Sequence, residues 1–419
     1  MQFPRLTMIE QQFPRPQAPA VEAEIQAQFN RLDFLSQSVK GKKIAVAVGS
    51  RGIARLADTA KATIAFLRSQ GAEPFIIPAM GSHGGGTPEG QANILADYGI
   101  TEKTLGVPIH AAMETLNLGE TEDGIPVTIA RTAYESDGVI LINRIKPHTD
   151  FHGEIESGLL KMITIGLGKQ KGAMACHSHT SRFSYDRIIT DVARRIMATG
   201  KILGGIALLE NAYHEIAEIE VIPAEQIETR EKQLLPKAKA LMPSLPVEKA
   251  DVLLVERIGK NISGVGLDPN ITGRWFDLNH RWQETPNFTR IVVLDLTEES
   301  KGNAAGIGLA DFCTRRTVEA MDRRITYLNA ITSRNVISAM IPLYFDTERE
   351  TLEQTLVSLG ERTPPENARL IWIRDTLNLD RILVSEALLD EAKKYSQVSE
   401  ISEWREMSFD KDGNLRRSW

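Results

Sequence analysis

Short apolar runs punctuate the chain, and longer stretches of mixed polarity separate them. Residues 43–48, 73–78, 138–143 and 202–209 are apolar with no polar alternation, the pattern of strands buried on both faces. Helices are predicted between them over residues 21–38, 53–70, 88–97, 182–199 and 224–242. The helix at 88 has a written start, with Thr87 as N-cap and Pro88 at the first helical position. Residues 126–131 alternate and predict a sheet-edge strand. The sequence Pro243-Ser244-Leu245-Pro246 marks a boundary. Beyond it the alternation resumes, with strands predicted at 251–255, 290–296 and 368–373 and helices at 310–322 and 384–394. The last residues, 409–419, are polar and predicted to fray. This reading gives an α/β protein of two domains, 1–243 and 244–419, with mostly parallel sheets and an active site in the cleft between them.

Length agrees with two domains, since 419 residues exceed one ordinary core. The net charge of −6 leaves no basic excess to neutralise phosphates, which argues against a nucleic-acid partner. No apolar run reaches the length needed to span a bilayer. Residues 1–29 lack an apolar core behind basic residues, so no secretory signal is expected there. The two cysteines, Cys176 and Cys313, suit a reducing cytoplasm and exclude a cysteine-rich metal site. A metal in this chain must rely on histidine, carboxylate or a non-protein ligand.

Candidate chemistry concentrates in residues 143–183. Four of the eight histidines lie there, namely His148, His152, His177 and His179. Lys161 interrupts the apolar run Leu159-Leu160-Lys161-Met162-Ile163. A buried ammonium is costly, and a desolvated lysine is the kind that forms covalent bonds to a cofactor or substrate. His148 follows the 138–143 strand and His83 sits in the glycine-rich turn after the 73–78 strand. Both therefore emerge at carboxyl ends of strands, where open α/β sheets bind ligands. Arg51 follows the 43–48 strand and has the fork geometry to hold a carboxylate. In the second half, residues 259–274 form a polar, glycine-rich loop with Lys260 and Arg274.

Taken in order, these residues resemble the nickel-pincer lactate racemase superfamily, two-domain α/β enzymes that racemise or epimerise 2-hydroxyacids. The resemblance implies Arg51 as the substrate-binding arginine. It implies His83, in Met80-Gly81-Ser82-His83, and His148, in Lys146-Pro147-His148, as the paired acid/base groups. Lys161, in Ser157-Gly158-Leu159-Leu160-Lys161, is similar to the lysine that carries a pyridinium-derived mononucleotide through a thioamide. His177, sixteen residues on, stands at the spacing of the nickel ligand, and His179 competes with it. In this family a hydride moves reversibly from the substrate's 2-carbon to the pincer, while two bases handle the hydroxyl proton from opposite faces. Because the pincer supplies ligands to nickel, one protein histidine suffices. The family further implies cofactor-biosynthesis proteins as partners and a small 2-hydroxyacid as substrate.

This sequence departs from the pattern where Leu159-Leu160 replaces a Gly-Arg pair, and where a longer loop adds Asp150, His152 and Glu154. Those added groups point to a substrate larger or more hydroxylated than lactate. Lys260 and Arg274 are the candidates for substrate contacts from the second half. Two other functions compete. One is a non-catalytic carboxylate- or nucleotide-binding protein on the same fold, and the other is a histidine-bound metallohydrolase. The latter is weakened because no His-x-x-x-His or carboxylate-rich cluster occurs on a helix.

Overall fold

The computed structural model describes residues 1–18, 20–32, 39–50, 52–275, 285–361, 363–395 and 397–417. The chain divides into two compact units, Pro14–Met242 and Met1–Phe13 with Pro243–Trp419. Both are α/β.

In the first unit, five strands form a sheet in the order Glu73–Pro78, Lys43–Val48, Gly138–Arg144, Ile202–Glu210, Ile216–Pro223. The first four run parallel and the last is antiparallel. Successive residues of the strand Lys43–Val48 enter different cores. Ala45 and Ala47 pack on one face of the sheet, and Ile44, Val46 and Val48 on the other. That two-sided burial is why these strands read as continuous apolar runs. Helices Val21–Leu32 and Leu56–Ser69 contribute to one core, and helices Tyr185–Met197 and Ile227–Ala240 to the other. Of the predicted 21–38 helix, residues 33–38 lie outside the described residues. The 126–131 segment pairs with Thr115–Glu120 in a two-stranded sheet of its own.

The strand order places the site. From Lys43–Val48 the chain moves outward to Glu73–Pro78, then returns to Gly138–Arg144 on the opposite side of the starting strand. The connections leaving neighbouring parallel strands therefore diverge, which opens a crevice at their carboxyl ends.

The second unit holds a nine-stranded sheet among the described residues. Its parallel part runs Leu343–Phe345, Phe312–Thr314, Asn287–Val293, Lys249–Val255, Leu370–Ile373. Arg381–Ser385 continues it antiparallel, and Arg5–Gln11 pairs beside that strand. Arg5–Gln11 thus lies within the sheet of the second unit, paired with segments far from it in sequence. The predicted 310–322 helix is instead a strand, Phe312–Thr314, followed by a short helix, Arg315–Ala320. Thr314 ends the strand and caps the helix, accepting a hydrogen bond from Thr317 N–H. The predicted fraying tail is also corrected. Leu415 is buried, and Arg417 donates to both oxygens of buried Glu348.

Candidate active site

Three neighbouring strands, Glu73–Pro78, Lys43–Val48 and Gly138–Arg144, deliver His83, Ser50 and His148 to one edge of the first unit's sheet. Ser50 Oγ lies 2.5 Å from His83 Nδ1, so that ring nitrogen is held. Arg51, between Ser50 and Gly52, lies outside the described residues. Just beyond it, Ala54 N–H donates to Glu210 Oε1 at 2.7 Å, and Arg144 pairs with the same carboxylate.

The His83 turn is braced from below. Gly84 has φ +65°, and a Cβ there would meet the Gly90 backbone at 2.4 Å, so only glycine fits. Buried Gln91 donates from Nε2 to the carbonyls of Gly81 at 2.9 Å and His83 at 3.4 Å. Its Oε1 in turn accepts from Lys169 Nζ at 3.0 Å, and the same amine donates to Pro78 O at 2.6 Å. Lys169 is fully buried, and desolvation lowers its pKa to about 8, against the opposing pull of Glu114. One amine therefore ties the strand end, the turn and the start of helix Lys169–His179 together. Gly81 N–H also donates to Gly166 O at 3.3 Å, joining the His83 turn to the segment just after Lys161.

The His148 loop closes on itself. Lys146 and Ser157 exchange backbone hydrogen bonds of 2.9 and 3.2 Å. Inside the loop lies Glu156, whose carboxylate accepts from His148 N–H at 2.6 Å and from Lys239 Nζ at 2.6 Å. Burial works to raise its pKa, but hydrogen bonds from His152, Lys239 and the His148 N–H outweigh it, and the net shift is downward.

His148 Nδ1 accepts from Asp150 N–H at 3.0 Å, and Nε2 contacts Lys161 Nζ. The His148 ring therefore bridges its own loop and the Lys161 amine.

Lys161 belongs to a single turn, Leu159–Lys161, that continues into a π-helical stretch, Met162–Gly166. Glu231 caps that turn, accepting from Leu160 N–H at 2.9 Å. Gly158 leaves room for it, since a Cβ there would lie 2.2 Å from Glu231 Oε1. Glu231 is fully buried, and burial raises its pKa to about 7 despite the N–H groups of Leu160 and Leu159.

An aromatic stack links the two histidine-bearing segments. The ring of Phe151 stacks on His148 at 4.3 Å and on Tyr185 at 4.5 Å, and Tyr185 meets His177 edge-on at 5.4 Å. Tyr185 Oη lies 3.2 Å from ring nitrogens of His177. Burial, with Cys176 and Asp150 nearby, holds the phenol well above its usual pKa, so it stays a neutral donor. His179 turns the other way, its Nδ1 2.8 Å from Ala175 O of its own helix. His177 is therefore the histidine that faces the stack.

The structure thus brings Lys161, His148 and His177 into one linked group and ties the His83 turn to the same segment. Lys260 and Arg274 belong to the second unit. Lys260 Nζ donates to Gly264 O at 2.5 Å within its own loop. Arg274 is buried, pairs with Asp311 at 2.6 Å and donates to Leu309 O and Phe288 O. Its guanidinium is occupied in packing that unit. Exposed Glu154 pairs with Lys232 at 3.0 Å, and His152 bonds Glu156 at 3.3 Å. Sequence patterns did not single out Ser50, Gln91, Lys169, Tyr185 or Glu231.

Residues 6–186 match a family model described as the lactate racemase N-terminal domain. The fold is similar to that of the lactate racemase apoprotein from Thermoanaerobacterium thermosaccharolyticum. The TM-score is 0.52 at 11% identity, covering 88% of this chain and 94% of that one. No curated protein sequence matches the chain.

Proposed function

We propose, from the match of residues 6–186 to the lactate racemase N-terminal domain, that the chain is an isomerase inverting the 2-carbon of a 2-hydroxyacid. Its cofactor in this reading is a nickel-pincer nucleotide joined covalently to Lys161. The observation that carries the reading is the contact between Lys161 Nζ and His148 Nε2. It sets an amine beside a histidine at the carboxyl edge of the sheet.

The residues fit such a group. Lys161 is half-buried and contacts His148, a group able to take the proton an amine must lose to form a bond to an acyl-type carbon. Among the described residues, no three histidine, cysteine, aspartate or glutamate side chains gather to hold a metal. A nickel ion at this place would take one ligand from the protein, and the bound organic group would supply the others. His177 is the protein ligand in this reading, with Tyr185 orienting its ring. When bound, the nickel-pincer group supplies a reversible acceptor for the 2-hydrogen and its electron pair.

The remaining work falls to side chains of the chain. Arg51 holds the substrate carboxylate while the reacting carbon flattens. His83 and His148 take the hydroxyl proton and return it from either face. Nδ1 of His83 is fixed by Ser50, which leaves Nε2 as its transferring atom, while His148 is held at Nδ1 by Asp150 N–H with Nε2 against the Lys161 amine. Lys169 and Gln91 keep the His83 turn in register. Lys260 remains the candidate for a substrate contact from the second unit, and Arg274 is assigned to packing. The chain is taken to work in the cytoplasm with partners that build and deliver its cofactor. Among the described residues, no helix is long and apolar enough to cross a membrane.

The test is chiral chromatography of single enantiomers of lactate, malate, 2-hydroxyglutarate, phenyllactate and gluconate after incubation with nickel-replete protein. Inversion of at least one, lost in His83→Ala and His148→Ala, is expected. Nickel-replete protein that inverts none of them contradicts the proposal.

A further inference from the structure

An exposed apolar face lies in the second unit, between residues 325 and 345. Helix Arg323–Thr332 is built inside out. It buries Thr326 and Ala330, one turn apart, against its own unit, where Thr326 Oγ1 donates to Gly302 O. Its large apolar residues, Leu328 and Ile331 among them, face outward on the opposite stripe. The next turn, Val336–Ala339, repeats the inversion by burying Ser338 and Ala339 and exposing Val336. Met340 is exposed after it, and the strand Leu343–Phe345 then exposes Leu343 and Tyr344. That strand ends the sheet, and among the described residues no strand pairs with its outer side.

Scattered exposed leucines are ordinary, but three consecutive elements turned outward are not. The six side chains just named are each 46–66% exposed. At ~200 Å² for a fully exposed large side chain, they present about 700 Å² of mostly apolar surface, close to the ~800 Å² per partner of a stable interface.

We propose that this face binds a second copy of the chain about a two-fold axis, with the Leu343–Phe345 edges meeting antiparallel. Charge favours self-association over other occupants. From Ile325 to Phe345 the only charged residue is Arg334, in a chain that is 25% charged. A nearly neutral patch meets its own copy without repulsion, whereas an acidic partner or an anionic lipid surface would call for a basic one. The open edge adds backbone donors and acceptors that only another strand can satisfy in register.

Light scattering on the eluting purified chain at micromolar concentration tests this. The wild type is expected at twice the chain mass. Leu328→Glu and Leu343→Glu are each expected at the single-chain mass with unchanged far-UV circular dichroism, because neither side chain is needed inside its own unit. As a second measurement, Tyr344→Cys is expected to form an intermolecular disulfide on mild oxidation; the native Cys176 and Cys313 are buried. A monomeric wild type overturns the proposal, whether or not it sediments with anionic vesicles. So does a dimer that survives both glutamates, or one whose Tyr344→Cys form does not cross-link.

Discussion

Glu231→Gln probes the support beneath Lys161 through its dependence on pH. The carboxyl loses its proton near pH 7 in the folded chain, against an ordinary value of 4.5. Below pH 4.5 it is protonated in both states and its contribution is fully present. Between 4.5 and 7 the unfolded chain releases its proton first, so stability falls as pH rises; above 7 the loss is complete. At ~1.4 kcal/mol per pH unit, the separation amounts to about 3 kcal/mol at pH 8. Glutamine keeps an acceptor for Leu160 N–H and cannot ionise. The variant is therefore expected to match the wild type near pH 4 and to exceed it by about 3 kcal/mol at pH 8. All five tryptophans, at 275, 282, 372, 404 and 419, belong to the second unit, so their fluorescence reports on the wrong one. Hydrogen exchange of core amides in strands Lys43–Val48 and Gly138–Arg144, followed by mass spectrometry, reads the first unit directly. Parallel pH profiles for wild type and variant would refute the reasoning.

Gln91→Leu removes the donors to Gly81 O and His83 O and leaves Lys169 with one fewer acceptor. Loss of about 1–2 kcal/mol of alignment should lower kcat on the order of tenfold with little change in KM; an unchanged kcat removes Gln91 from the support of His83. Arg274→Met leaves Asp311 and two carbonyls without their buried donor. It should destabilise the second unit by about 3–5 kcal/mol in urea melts followed by tryptophan fluorescence, and a loss under ~1 kcal/mol would reopen a ligand-facing role. Tyr185→Phe deletes the hydroxyl beside His177. Nickel retention by loaded protein, measured by elemental analysis during dialysis, should fall on the order of tenfold; equal retention means that Tyr185 does not orient the ligand.

The strands of the first unit were legible because burial on both faces leaves continuous apolar runs, and Glu73–Pro78 and Lys43–Val48 match their predicted bounds. Thr87-Pro88 was legible because capping is local chemistry, and Thr87 does accept from Gly90 N–H. Pairings between distant segments were not. Nothing in residues 5–11 announces that they lie beside 381–385. The strand Phe312–Thr314 was hidden because three apolar residues before a capped helix read as part of that helix. In the site, His83, His148, Lys161 and His177 stood out by residue type and position. Lys169 and Glu231 did not, because a charged residue in a polar helical stretch ordinarily faces water. Only the packing shows that these two turn inward and hold the turns that carry His83 and Lys161.

The central claim is that Lys161 carries a nickel-holding organic group that makes the chain an isomerase. The most direct measurement is the mass of the protein purified from its own host, with peptide mapping of residues 159–171 and elemental analysis for nickel and sulfur. The account predicts a sulfur-containing pyridine mononucleotide on Lys161, one nickel per chain, and neither in Lys161→Arg. An active protein with an unmodified Lys161, or an adduct on another lysine, would contradict it.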